Sequence, residues 1–160
     1  MVKFANQIVS HLLILTVVKN IREIQEEIVS EFEMYDDWMD KYNYLIELSK
    51  DLPLINEKLK VKENLINGCQ SKVWLNAEYN QNHIYFTADS DAIITKGIIS
   101  LLVRVLNGRT PREIMDTDLY FIDKIGLRQN LSPTRSNGLL SMVKQIKLYA
   151  LAYQTKYNGN

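Results

Sequence analysis

The sequence predicts an α+β fold, in which a small antiparallel sheet of about three strands packs against several helices. Three observations predict it. Apolar residues recur at helical spacing before residue 53 and after residue 91. The middle of the chain switches to runs rich in β-branched and aromatic residues, and helix-capping residues stand where the helical periods begin.

Residues 21–33 place Ile21, Ile24, Ile28 and Phe32 on one face of a helix, with Glu23, Glu26, Glu27, Glu31 and Glu33 elsewhere on the cylinder, which reads as a solvated face. A second helix starts at Asp36 or Asp37, whose carboxylates can accept free N–H groups at the positive dipole end. Trp38, Tyr42, Leu45, Leu48 and Leu52 form its apolar stripe, read as core, and Pro53 stops it. A short first strand is expected over Glu63–Ile66. Lys72–Tyr79 and His83–Ala88 then read as a β-hairpin around the polar turn Asn80-Gln81-Asn82. Asp89-Ser90-Asp91 caps a strongly apolar helix from Ala92 to Asn107, closed by Gly108. Thr110-Pro-Arg-Glu113 is a capping box with proline at the first helical position. Ser132-Pro133 opens the last long helix, where Leu139, Val143, Ile146, Ala150 and Tyr153 share a face.

Composition narrows the function. Nineteen basic residues balance nineteen acidic ones across 160 residues, so the electrostatic footprint of a general nucleic-acid binder is missing. With 46% hydrophobic residues the chain is too apolar for disorder. One cysteine makes no internal disulfide and no cysteine-rich metal or cluster site. Residues 1–18 carry an eleven-residue apolar run, Ile8–Val18, interrupted by Ser10 and His11. A bilayer span needs about 20 such residues. No small-x-small cleavage site follows before the chain turns charged at Lys19. The stretch therefore reads as an atypical leader, either an extra amphipathic helix or a start-site artefact, and not as a membrane anchor. Residues 19–160 are expected to form a single domain.

The solitary Cys69 lies in Asn64-Leu-Ile-Asn-Gly-Cys-Gln-Ser-Lys72. Gly68 permits positive φ, which would set the thiol at the apex of a tight loop. Its neighbours are polar, and Lys72 offers modest help to a thiolate. Free cysteines are also commonly small buried hydrophobes, so local sequence leaves both readings open. A cysteine hydrolase needs a histidine base, and only His11 and His83 exist. No paired-ligand spacing supports zinc, and there is no phosphate loop, nucleophile elbow or HExxH. Asp89-Ser-Asp91 has one carboxylate more than a cap requires. Arg135 stands in the first turn of a helix, where the dipole disfavours a cation; it is either incidental or a binder of a carboxylate or a partner protein.

Four blocks in order resemble the SufE family of sulfur-acceptor proteins, over roughly residues 20–155. They are Asp37-Trp-Met-Asp-Lys-Tyr-Asn-Tyr-Leu-Ile-Glu-Leu48 with Leu52-Pro53, Gly68-Cys-Gln-Ser-Lys-Val-Trp74, Asp89-Ser-Asp-Ala92 with Lys96-Gly97, and Ser132-Pro-Thr-Arg-Ser136. Ser49 departs from the glycine frequent in the family. The resemblance implies a fold shared with IscU-type cluster scaffolds, although one cysteine suits a sulfur carrier rather than a scaffold. It implies that Cys69 accepts persulfide sulfur from a SufS-type, pyridoxal-phosphate-dependent cysteine desulfurase, stimulates that enzyme and passes sulfur towards a downstream iron–sulfur scaffold complex. Gly68, Gln70, Asp91 and Arg135 match positions that set the loop and the partner interface. No cofactor or metal of its own is implied, since the pyridoxal phosphate belongs to the partner. The expected setting is cytoplasmic, as a monomer or homodimer, with the loop cysteine shielded until docking.

Overall fold

The computed structural model describes residues 19–158. Helix α1, Ile21–Glu33, buries Ile28, Val29 and Phe32. Its Gln25 is buried too and works at both ends: the amide donates to Asp118 O at 3.1 Å and the amide oxygen accepts from Phe121 N at 3.2 Å. Helix α2, Trp38–Leu48, opens on Asp37, whose carboxylate accepts the Asp40 N–H at 2.9 Å. One 3-10 turn, Ser49–Asp51, prolongs it. Leu52 is then extended, as the residue before a proline must be.

Strands β1, Val73–Asn80, and β2, His83–Ser90, pair antiparallel in the register Val73↔Ser90 to Asn80↔His83. The turn has two residues rather than three: Gln81 and Asn82 both take positive φ, as a type I′ hairpin requires. Val73, Leu75, Ala77, Ile84, Phe86 and Ala88 point into the core, the alternation expected of a half-buried sheet. The sheet has two strands, not about three. Lys62–Asn64 is a 3-10 turn, and the expected first strand shrinks to a bridge between Leu65 and Trp74. Lys62-Glu63-Asn64 offers no alternating apolar side chains to hold a strand; only Ile66 there is buried.

A lone hairpin is marginal in water, and its outward edges need partners. Along β2, Ala88 exchanges backbone bonds with Pro53 and Ile55, Ile84 does so with Gly108 and Arg109, and Phe86 N donates to Asn107 Oδ1 at 2.7 Å. Along β1, Val73 O accepts from Ile66 N at 2.8 Å. Further along that edge, Tyr149 and Tyr153 donate their hydroxyls to Leu75 O and Ala77 O.

Helix α3, Ile93–Leu106, is apolar on almost every face and fills the centre of the core. Its start departs from the sequence reading, because Ala92 is the cap residue and neither Asp89 nor Asp91 caps it. Ser90 Oγ accepts the Ala92 N–H at 3.2 Å instead. Helix α4, Pro111–Asp116, carries the full Thr110/Glu113 capping box. Helices α5, Phe121–Lys124, and α6, Leu127–Asn130, join through Gly126 at φ +76°. Neither is foreseen by the sequence reading, since four residues are too few to show a helical period. Helix α7, Pro133–Asn158, runs back across the hairpin. The solvated-face reading of α1 also needs correction. Glu31 takes both guanidinium nitrogens of Arg104 at 2.7 and 2.8 Å and accepts from Tyr44 at 2.8 Å. That pairing with Arg104 holds its carboxyl below the usual range.

Helices α2 and α3 cross at Gly97, where an added β-carbon would collide with the carbonyl of Leu45. Glycine to alanine inside a helix ordinarily gains about 1 kcal/mol. Here the collision reverses the sign, and Gly97→Ala should cost about 1–3 kcal/mol, read from the midpoint of urea unfolding. A midpoint at or above that of the wild type would contradict so close a crossing.

Candidate functional site

The Cys69 loop is built at the corner where the start of β1 meets the start of α7. Its base is closed by the Ile66–Val73 backbone bond. Gly68 takes φ +93°, and its bare α-carbon faces Ser141 of α7, so a side chain would meet both strain and collision. The turn directs Cys69 inward. The thiol is half-buried and donates to Gly138 O of α7 at 3.6 Å. Gly138 packs its bare α-carbon against the sulfur; a β-carbon there would lie 3.5 Å from Sγ, in ordinary van der Waals contact. Beside the sulfur is a cavity of about 80 Å³, lined by Gln70, Thr95, Ile98, Thr134, Arg135 and Met142 among others.

Burial pushes the Cys69 thiol up from its ordinary pKa, and no other cause acts on it. The help that Lys72 offered in the sequence is therefore not realised: Lys72 enters the site through its backbone. Its N–H donates to Asp91 Oδ1 at 3.0 Å while Asp91 N donates back to Lys72 O at 3.2 Å. Asp91 thus grips the exit of the Cys69 loop. Arg135, exposed in the first turn of α7, has its N–H on Ser132 Oγ at 3.3 Å and its side chain at the cavity mouth. Among the described residues no hydrogen-bond or ion-pair partner engages its guanidinium. Gln70 is exposed at the same mouth.

The structure brings Gly68, Cys69, Gln70, Asp91 and Arg135 into one corner. His83 is at the opposite end of the hairpin, paired across it with Asn80, and its Nδ1 lies 2.7 Å from Gln81 O. At the rise of an extended strand the eight residues of β1 set it about 20 Å from the loop. His11 and the leader lie outside the described residues. No group of three His, Cys, Asp or Glu side chains arranged for a metal occurs among the described residues. No helix there is long and apolar enough to cross a membrane. Gly138, Thr95 and Met142 do not stand out from sequence as site residues. Gly138 leaves one signal, a glycine inside a long helix where alanine would be favoured by about 1 kcal/mol.

Fold and site together define an α+β protein that shelters one thiol on a glycine-hinged loop, with no histidine base beside it among the described residues. The chain belongs to the SufE family: the family profile, "SufE: Fe-S metabolism associated domain", matches residues 26–150. It is 42% identical over 127 residues to an uncharacterized SufE-like protein of Rhizobium etli, covering 76% of this chain and 86% of that one. A SufE-like protein of Synechocystis is 34% identical over 80% of each chain. SufE-like protein 1 of Arabidopsis thaliana, chloroplastic/mitochondrial, is 38% identical over 82% of this chain, which spans only 36% of that longer protein. The fold matches the solution structure of a hypothetical protein from Thermus thermophilus, with a TM-score of 0.68 at 16% identity, covering 82% of this chain and 96% of that one.

A thiol whose pKa is raised on folding favours the neutral form in the native state. Its contribution is fully present below the unfolded pKa of about 8.5 and is lost as pH rises through the higher folded value. Wild type should therefore lose stability relative to Cys69→Ser as pH climbs above about 8.5, the offset staying constant below it. A stability difference that stayed independent of pH above about 8.5 would remove burial as the cause.

Proposed function

We propose that this chain is a sulfur acceptor. Cys69 takes sulfane sulfur from the persulfide on a SufS-type, pyridoxal-phosphate-dependent cysteine desulfurase, stimulates that enzyme and hands the sulfur on for iron–sulfur cluster assembly. The observation that carries this reading is the single thiol on a glycine-hinged loop, held inward beside a small cavity, in a chain of the SufE family.

The step is a thiol–disulfide-type exchange. The Cys69 thiolate attacks the outer sulfur of the donor Cys–S–SH, and the donor's S–S bond breaks. The donor sulfur leaves as a thiolate, and the sulfane sulfur stays on Cys69 as Cys69–S–SH. The donor cysteine returns to the thiol level as Cys69 rises to the persulfide level, so the pair exchanges oxidation state and no external oxidant or reductant is needed. A neutral, inward thiol attacks slowly, so this loop has to swing out to deliver Cys69 into another protein's site. Asp91 grips the loop's exit and Arg135 presents a cation beside it that pairs with no acidic group among the described residues, which suits a role in loop setting and in recognising an acidic group on the partner. After transfer, the cavity has room for the extra sulfur atom once the loop closes. Residues 19–160 act as one domain in this reading, and a free thiol suits a reducing compartment such as the cytoplasm.

A stand-alone cysteine enzyme would need a base near the thiol, and His83 is too distant to serve. A non-catalytic adaptor of the same fold would bind the desulfurase and carry no sulfur. Incubation with a cognate desulfurase and free cysteine should add the mass of one sulfur atom to the intact protein, and none to Cys69→Ser. Tight binding without that mass gain in the wild type would leave only the adaptor, and equal loading of Cys69→Ser would sink the assignment.

A further inference from the structure

The Asp89-Ser90-Asp91 stretch, at the end of β2, sends its two carboxylates to opposite ends of the cysteine segment. Asp91 holds the exit, at Lys72 N. Asp89, paired with Trp74 across the hairpin, reaches Lys60 Nζ at 2.6 Å and Lys96 Nζ at 3.2 Å. Lys60 is the residue from which the chain sets out towards Cys69, and its ammonium also meets Glu57 at 2.7 Å and sits 5.5 Å over the Trp74 ring. Residues 61–71, Cys69 among them, are thus suspended between two lysines that answer to carboxylates two positions apart. We propose that the Lys60–Asp89 ion pair is the entry-side clamp on this segment and that Asp89 is a positioning residue for Cys69, acting through Lys60. The purpose of the clamp, but not its geometry, rests on the sulfur-acceptor reading.

The other bonds on the entry side before Leu65 are local, the Asn64 amide on Leu59 O at 2.7 Å and the 3-10 turn over Lys62–Asn64, and the ion pair ties that stretch across to the hairpin. Val61 is 41% exposed, and backbone pairing to β1 is confined to the Leu65–Trp74 bridge and the Ile66–Val73 bond. The ion pair itself is well placed to act. The Asp89 and Lys60 side chains are 15% and 19% exposed, far more sheltered than an ordinary surface pair. Burial alone would raise the Asp89 carboxyl; bonds from Lys60, the Ser90 N–H and Lys96 outweigh it and hold it below the usual range. Lys96 shares the same carboxylate but belongs to α3 and not to the chain that leads into residues 61–71, and so provides an internal control.

The test uses the full chain and the rate at which iodoacetamide alkylates Cys69 under native conditions, together with hydrogen exchange of residues 61–72. Lys60→Met should raise the alkylation rate about threefold, the scale of losing one such ion pair, and quicken exchange in that segment. Lys60→Arg, which keeps the charge, should restore the wild-type rate, and Lys96→Met should leave it unchanged. A wild-type rate in Lys60→Met or an equal acceleration in Lys96→Met would each overturn the clamp. Sulfur loading measured in parallel separates the two proposals. Normal loading with an unaltered Lys60→Met rate removes the clamp alone, whereas accelerated alkylation with no loading of wild type removes the carrier alone.

Discussion

The outward-facing N–H and C=O groups of a two-stranded sheet have no third strand to bond them, and leaving them dry and unpaired costs more than a hairpin gains. In this chain the covering of those edges dictates where everything else lies. The β2 edge is answered by the segment after Pro53 and by the residues that follow α3. The β1 edge is answered by Ile66 at its start and by two tyrosines of α7 further along. Once Ile66 and α7 are both drawn to that edge, the six residues between Ile66 and Val73 have one place to go, the corner under the first turns of α7. The thiol is at that corner because the hairpin needed covering.

Shelter and reactivity then oppose each other at one atom. The contacts that order the loop, Gly138 O on the thiol and Ser141 against Gly68, are the contacts that dehydrate the sulfur and keep it neutral. A permanently exposed loop would carry a more available thiolate, but also one open to oxidation and stray disulfides. The raised pKa accompanies the protection of a single thiol, and the restraints on the loop set how far it can be relieved.

Elements with a long period were legible in the sequence; those defined by contacts across the fold were not. The stripes through Ile28 and Phe32, Leu45 and Leu48, and Leu139 and Ile146 mark three helices directly, because burial imposes a 3.6-residue repeat. The hairpin follows from its alternation, but its turn loses a residue because Gln81, an unusual occupant of positive φ, hides a two-residue loop. Leu65 and Ile66 resemble a strand in sequence and prove to be only an edge cover, which has no periodicity of its own. At the site, the glycine before Cys69 marks a turn, but nothing local says that the thiol points inward. The thiol's acceptor is the carbonyl of Gly138, sixty-nine residues away.

The Asp-Ser-Asp stretch shows why a local reading can fail for a good reason. Two carboxylates before an apolar helix look like a cap with one to spare, and a cap contributes about 1 kcal/mol. Helix α3 does not need it, since its buried faces stabilise it far more than any cap, and Ser90 already takes a free N–H. The carboxylates are released to act across the fold instead, one on a backbone N–H at Lys72 and one on the ammonium of Lys60. A charge placed at a helix end would stabilise only that helix. The same charges at the ends of the cysteine segment join it to the hairpin and, through Lys96, to the core helix.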